Sequence, residues 1–320
     1  METYTQPPGR PVRIVSLSFY DKPLVEIAAL VDREAAAGVD LIVLPETWNM
    51  QYKNQPETLA GPTVTTMAAL AQRHRTYIVC PIDRQDGDRR VNSALLIDRL
   101  GRVVAIYDKV YPYWSEFDVT PAVQPALTAP TVYQADFGTI GMAICFDVNF
   151  PSVWQALADQ GAELVAWPSA YSAGTSLQAH ALNHHYAIVT STYTKDCIVY
   201  DITGQEILYE KSDEINISRI TLDLDRGIYH ENFNVAKRDC LLAEHSEEVA
   251  LEQWLSREQW FVLKSTRPGV SARALAHQYG LEELRDYLTR SRHEIDRMRD
   301  AVCTEQPMPA RALTSTVGRE

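Results

Sequence analysis

The sequence predicts an α/β fold, a mixed sheet covered by helices, and two observations carry that prediction. Up to about residue 240, short apolar or β-branched runs alternate with segments of helical periodicity. Some runs lead into a helix, which suits parallel pairing. Others meet at short Asp/Gly-bearing turns, which suit antiparallel pairing.

In chain order, residues 12–19 read as a strand ending at Asp21-Lys22-Pro23, and residues 24–37 as a helix stopped by Gly38. A short apolar strand covers 41–44. Residues 63–74 are helical and 77–81 a strand. Strands at 93–97 and 103–107 flank Asp98-Arg99-Leu100-Gly101, a hairpin signal. A loop with four prolines runs from 111 to 130. Strands follow at 131–135 and 139–144, then a helix at 151–160 and a strand at 164–167. A helix at 177–185 precedes strands at 187–191, 198–200 and 217–222.

After about Cys240 strand signals thin out. Residues 246–258, 271–279 and 281–298 read as helices, broken at Arg267-Pro268-Gly269, with a Pro-bearing tail from Gln306. The chain is therefore expected to divide into residues 1–240 and a helical extension over 241–320.

Composition narrows the function classes. With 320 residues, 46% hydrophobic and 22% charged, the chain can build a full core, which excludes collagen-like, coiled-coil and wholly disordered descriptions. Thirty basic against 42 acidic residues, a net charge of -12, argue against a nucleic-acid binder. No apolar run approaches the ~20 residues of a membrane span. The opening stretch is polar and holds prolines, so no signal peptide is expected. Five cysteines, an odd number with no CxxC pair, fit neither a disulfide framework nor a zinc site, and a cytoplasmic location is expected.

Three strand ends hold residues suited to chemistry. In Gly141-Met142-Ala143-Ile144-Cys145-Phe146-Asp147, an apolar strand runs into Cys145, with Pro151 beyond it at a helix start. A cysteine there can present its sulfur at a sheet edge, and a nearby helix N-terminus favours the thiolate. Most free cysteines are instead buried and inert. Leu41-Ile42-Val43-Leu44-Pro45-Glu46 puts a carboxylate past another strand, where a plain surface Glu is the commoner case. Ile106-Tyr107-Asp108-Lys109 ends a third strand in a lysine, a residue type that is ordinarily solvated. Strand ends on one side of a sheet converge on one site.

Taken together, these segments resemble the three signature blocks of the nitrilase superfamily, the carbon–nitrogen hydrolases. The order is Glu, Lys, Cys, with 63 residues from Glu46 to Lys109 and 36 more to Cys145. The stretch Gly161-Ala162-Glu163-Leu164-Val165-Ala166-Trp167-Pro168-Ser169-Ala170-Tyr171 is similar to the family's pocket-lining strand end. The resemblance spans about residues 12–234 and implies an αββα four-layer sandwich whose subunits pair through helices. It implies an amidase-like enzyme needing no cofactor or metal. Cys145 would attack an amide carbonyl to form a thioester, and Glu46 would shuttle the proton. Lys109 and the Phe146 N–H would hold the oxyanion. Glu116, seven residues past Lys109, fits the family's second glutamate. Tyr113, Trp114, Asn149 and Tyr171 are substrate-binding candidates by their place in the motifs.

Departures bear on the substrate. Carbamoylases usually carry arginine shortly after the cysteine, where this chain has Val148 and Asn149, so a neutral small-molecule amide is favoured over a carboxylate-bearing one. Nitrilases typically have Trp-Glu after the cysteine, where Phe146-Asp147 stands here. N-carbamoyl amidohydrolase and nitrilase activities remain the alternatives within the superfamily. His180 and His184 share a helical face and His185 adjoins them, but no third ligand is apparent and metal is not expected. A reading of another class rests on residues 271–284, which superficially resemble a helix–turn–helix. The thirteen acidic and eleven basic residues after 240 would hold DNA poorly. A helical arm supporting a homo-oligomer, most simply a dimer, is expected instead.

Overall fold

The computed structural model describes residues 7–49 and 55–304; the expected tail from Gln306 lies outside them. The early elements follow the sequence pattern closely. Strand β1 (Pro11–Phe19) leads to α1 (Leu24–Ala35), β2 (Leu41–Val43), α2 (Pro62–His74) and β3 (Tyr77–Asp86). β3 turns through Gly87 into β4 (Arg89–Ile97), and β4 into β5 (Val103–Asp108). At that second hairpin Gly101 has φ of +76°, and a Cβ there would meet the Ala68 carbonyl oxygen at 2.6 Å, so the turn requires glycine.

The second half repeats the theme with β6 (Tyr133–Ala135), β7 (Gly138–Met142), α3 (Pro151–Asp159) and β8 (Leu164–Ser169). Then come α4 (Thr175–His184), β9 (Ala187–Thr192), β10 (Asp196–Tyr200), β11 (Glu206–Lys211) and β12 (Ile215–Asp223). Two six-stranded sheets result, ordered β12-β1-β2-β3-β4-β5 and β11-β10-β9-β8-β7-β6. Within each, the strands joined by helices pair in parallel and the hairpin partners antiparallel.

The sheets lie face to face. One core joins Val12, Ile14, Val43 and Leu96 of the first sheet to Ile140, Met142, Val165 and Trp167 of the second. Side-chain hydrogen bonds stitch β1 to β9: the Ser16 hydroxyl donates to the Thr190 carbonyl at 2.6 Å and the Ser191 hydroxyl to the Leu17 carbonyl at 2.7 Å. A second core packs α1 and α2, through Ile27, Val31, Met67 and Leu70, on the outer face of the first sheet. Trp154 and Leu157 of α3 and Leu177 and Ala181 of α4 cover the other outer face. The architecture is the αββα sandwich.

The extension corrects the sequence reading. Residues 246–258 were expected to form a helix, but they hold β14 (Val249–Leu255) and a turn into β15 (Trp260–Ser265). Leu251, Trp254 and Leu255 fit a helical spacing as well as a strand. The deciding partner lies outside that window: β13 (Gly227–His230) pairs with β15 in a three-stranded sheet β13-β15-β14. A bulge between Leu251 and Gln253 in β14 disturbs the period-two pattern that would have marked the strand. The helix α5 (Val235–Glu244) links β13 to β14 of this sheet, so the expected division at 240 falls inside a helix. The helices α6 (Ala272–Gln278) and α7 (Leu284–Thr304) stand where helices were expected. Tyr229, Phe261 and Leu263 pack with Leu241 of α5 and Ala272 and Ala276 of α6 in a small core of their own. Among the described residues no helix is long and apolar enough to cross a membrane.

Candidate active site

Glu46, Lys109 and Cys145 each follow a strand whose apolar residues are locked in the sandwich. Glu46 comes three residues after β2, Lys109 immediately after β5, and Cys145 three residues after β7. All three are buried and line one cavity of about 630 Å³. The Lys109 ammonium donates to Glu46 Oε1 and to Glu116 Oε2, both at 2.7 Å. Glu116, on a 3-10 turn at Trp114–Phe117, also accepts the Tyr113 N–H at 2.6 Å. Burial alone would lower the affinity of Lys109 for its proton. Glu46, Cys145 and Glu116 outweigh it and raise the pKa, so Lys109 stays a fixed cation.

Asn92 completes the array. This β4 residue donates from Nδ2 to Glu46 Oε1 at 2.7 Å and to Glu116 Oε1 at 2.9 Å. Glu46 Oε2 is buried and has no hydrogen-bond partner. One carboxylate oxygen is thus held by two donors and the other is left to accept.

Cys145 begins a 3-10 turn, Cys145–Asn149, with φ of +45°, a strained conformation for a residue with a Cβ. Asp147 holds that turn: it accepts the Ile144 N–H at 3.1 Å, the Tyr111 N–H at 2.8 Å and the Tyr107 hydroxyl at 2.7 Å. Complete burial pushes its carboxyl up to about 6 against those hydrogen bonds. The expected help from a helix N-terminus does not govern the thiol, because α3 starts only at Pro151 and that influence fades within a turn. Burial and the Glu46 charge push the Cys145 thiol up to about 12, and Lys109, Ser169 and the Ala170 N–H only partly oppose them. The resting thiol is protonated and needs a base.

The substrate-binding candidates separate. Tyr113, Asn149 and Tyr171 line the cavity, as does Phe146, whose ring meets Tyr113 edge-on at 5.3 Å. Trp114 does not: its side chain is 64% exposed and outside the lining. Val148 is core, and its carbonyl accepts the Nε2–H of His180 at 2.8 Å. An arginine does reach the cavity wall, Arg90, but Asp83 grips its guanidinium at 2.6–3.0 Å and the Pro121 carbonyl accepts from it at 3.1 Å. His180 stacks on Trp154 at 4.4 Å, and the His185 Nδ1–H donates to the Ile202 carbonyl at 3.2 Å. The three histidines lie on the α4 side of the second sheet, and no cluster able to hold a metal occurs among the described residues.

Four residues of the site escaped sequence reasoning. Asn92 sits in Val91-Asn92-Ser93-Ala94, and a polar pair inside an otherwise buried strand was the available signal. Asp147 stands two residues after Cys145, and its partners Tyr107 and Tyr111 lie too far back in the chain to mark it. Tyr193, after β9, donates its hydroxyl to the Glu46 carbonyl and lies 3.0 Å from the Thr47 hydroxyl, bracing the Glu46 loop where Thr47 has φ of +33°. Arg90 carried no motif.

Comparison with known proteins shows the family and the fold. The chain is 28% identical over 195 residues to a deaminated glutathione amidase of Synechocystis, covering 53% of this chain and 71% of that one. It is 27% identical over 184 residues to the chloroplastic omega-amidase of Arabidopsis thaliana, covering 52% and 50%. An amidase of the nitrilase superfamily from Nesterenkonia superposes with a TM-score of 0.59 at 21% identity, covering 69% of this chain and 94% of that one, a likeness of fold. The family model described as carbon-nitrogen hydrolase matches residues 20–226. With most of the sandwich inside that match, the chain belongs to the carbon–nitrogen hydrolase family of the nitrilase superfamily.

Proposed function

We propose that the chain hydrolyses small neutral amides through a thioester on Cys145. The observation that carries this reading is the cavity itself: a protonated cysteine on a strained turn beside a carboxylate with one free oxygen and a fixed ammonium. In this reading Glu46 Oε2 takes the thiol proton as the sulfur attacks the carbonyl carbon. Lys109 and the Phe146 N–H stabilise the oxyanion. The carbon–nitrogen bond then breaks, the proton passes from Glu46 to the leaving nitrogen, and ammonia or an amine departs. Glu46 next takes a proton from water, which cleaves the thioester to a carboxylic acid and frees Cys145. Glu116 steadies Lys109.

Neutral substrates are favoured because, among the described residues, each cation lining the cavity already faces carboxylates: Lys109 lies between Glu46 and Glu116, and Arg90 is gripped by Asp83. Tyr113, Asn149 and Tyr171 would contact the substrate. The test is ammonia release across primary amides, N-carbamoyl amino acids and nitriles, with mass spectrometry of the trapped enzyme. Amide turnover with an acyl adduct on Cys145 is the expected result. N-carbamoyl amino acids as the best substrates by a wide margin would overturn the neutral preference, and an adduct on Cys80 or Cys197 would overturn the nucleophile.

The same reading includes a homodimer in which α7 contacts a second copy. Leu288, Ile295 and Met298 are 47–61% exposed at helical spacing on this charged helix, a stripe that needs cover. The full chain should have the mass of two copies in solution, and deleting residues 284–320 should reduce the assembly to one copy; an unchanged number of copies would remove this part of the proposal.

A further inference from the structure

Asn92 is 2% exposed and pairs across the β3–β4 register with Asp83. Its main-chain carbonyl accepts the Lys109 N–H at 2.8 Å, and the two N–H groups of its side chain serve Glu46 and Glu116. Two consequences follow from valence and charge. Asn92 and Lys109 both donate to Oε1 of Glu46, which fixes the carboxylate plane and leaves Oε2 as the free oxygen. In addition, two carboxylates share one ammonium here. A neutral group that spends both donors on them favours their ionised forms without adding charge.

We propose that Asn92 is a positioning residue that turns Glu46 Oε2 free as the proton acceptor and keeps Glu46 and Glu116 ionised together. The proposal rests on the reading of Glu46 as the base for Cys145. The other titratable groups around this cluster are Lys109 after β5, Glu116 on its 3-10 turn, Cys145 after β7, Asp147 two residues beyond it, Tyr171 after β8 and Tyr193 after β9. On β4 itself, Arg90 is engaged by Asp83, and the Ser93 hydroxyl donates to Asp108, which also pairs with Arg84.

The test is alkylation of Cys145 by iodoacetamide in the intact protein, followed from about pH 4 to 9 by mass spectrometry of the Cys145 peptide. It reads the proton transfer without requiring the natural substrate. Asn92→Asp is nearly isosteric and replaces donors by acceptors; Asn92→Ser is smaller and keeps one donor. Both are checked by thermal melting, and Asn92→Ser decides the matter if the added charge unfolds the other. The acid midpoint is expected to move up by about one pH unit in Asn92→Ser and further in Asn92→Asp. Alkylation at neutral pH should slow about tenfold or more in the latter. A folded variant with an unmoved midpoint overturns the proposal, even if its rate falls uniformly, because a packing defect alone would do that. Glu46→Gln separates the two readings. If it leaves the wild-type profile unchanged, the base assignment itself fails; if it abolishes the acid limb while the Asn92 variants keep that limb at the wild-type midpoint, the role of Asn92 alone fails.

Discussion

The cavity and the seam between the sandwich and its C-terminal extension both bury charge, and they treat it differently. At the seam, Glu163 accepts from Arg10 and from Arg273 at 2.6 Å, and from the Thr139 N–H at 2.8 Å. Arg273 also grips Glu283 at 2.7–2.9 Å, and Arg226 joins Asp201 to Glu252. Burial pushes the Glu163 carboxyl up, but these donors outweigh it and hold it below the usual carboxylate range. Both oxygens of Glu163 are used. In the cavity Glu46 is at least as buried, and one of its oxygens is idle. A carboxylate with both oxygens engaged can only hold, whereas an unsatisfied buried acceptor beside a protonated thiol is free to accept.

The sharpest way to break this contrast is at the cavity. Cys145→Ala should abolish turnover while leaving the melting temperature near that of the wild type, and Lys109→Ala should cost about 10²–10³ in rate. Either loss combined with the other should be far from additive, since the groups act on one intermediate. Near-normal turnover in Lys109→Ala would remove the oxyanion role.

Asp147 lies buried beneath the Cys145 turn, outside the cavity lining, and acts on stability. Its carboxyl ionises at about 6 in the fold against an ordinary value of 3.8, so between those values the folded state holds the proton more tightly than the unfolded state. Its contribution to stability is therefore complete below about pH 4 and declines as pH rises through 6. Urea unfolding across that window should show the wild type losing about 2–3 kcal/mol relative to Asp147→Asn. Parallel pH dependences for the two proteins would contradict the assignment.

At the seam the expected effect is purely structural. Arg273→Ala leaves Glu163 and Glu283 short of donors but partly reachable by water, so a loss of about 1–3 kcal/mol is expected in denaturant titration. Turnover per folded molecule should stay within about twofold. A large rate loss at full stability would mean that the extension reaches the chemistry.

The smallest effects should separate two of the aromatic substrate-binding candidates. Trp114→Ala, on the exposed side of the 3-10 turn, should leave KM and kcat nearly unchanged, while Tyr171→Ala, on the cavity wall, should raise KM. Equal effects would show that exposure does not distinguish them.

Much of this architecture was legible from local chemistry. The apolar strands before Glu46, Lys109 and Cys145, the Asp98–Gly101 hairpin and Pro151 at the start of α3 are all set by residues within a few positions of each other. β-Branched runs, a glycine at positive φ and a proline at a first helical turn act through the backbone of their own segment. That determined the alternating elements, and the order of the three blocks pointed to the family. The rest depended on partners distant in sequence. Residues 249–255 became a strand because β15 pairs along them, and β15 is itself held by β13 on its other edge and by Leu241 of α5 and Ala272 and Ala276 of α6 against Phe261 and Leu263. Asn92 acquired its place only when β4 brought it between two glutamates 46 residues before it and 24 after it in the chain. The thiol of Cys145 is neutral because the second sheet and Glu46 enclose it, a matter of desolvation and facing charge. Local propensity is short-ranged and can be read along the chain. Burial and electrostatic pairing are properties of what the folded chain brings alongside, and tertiary structure alone decided them.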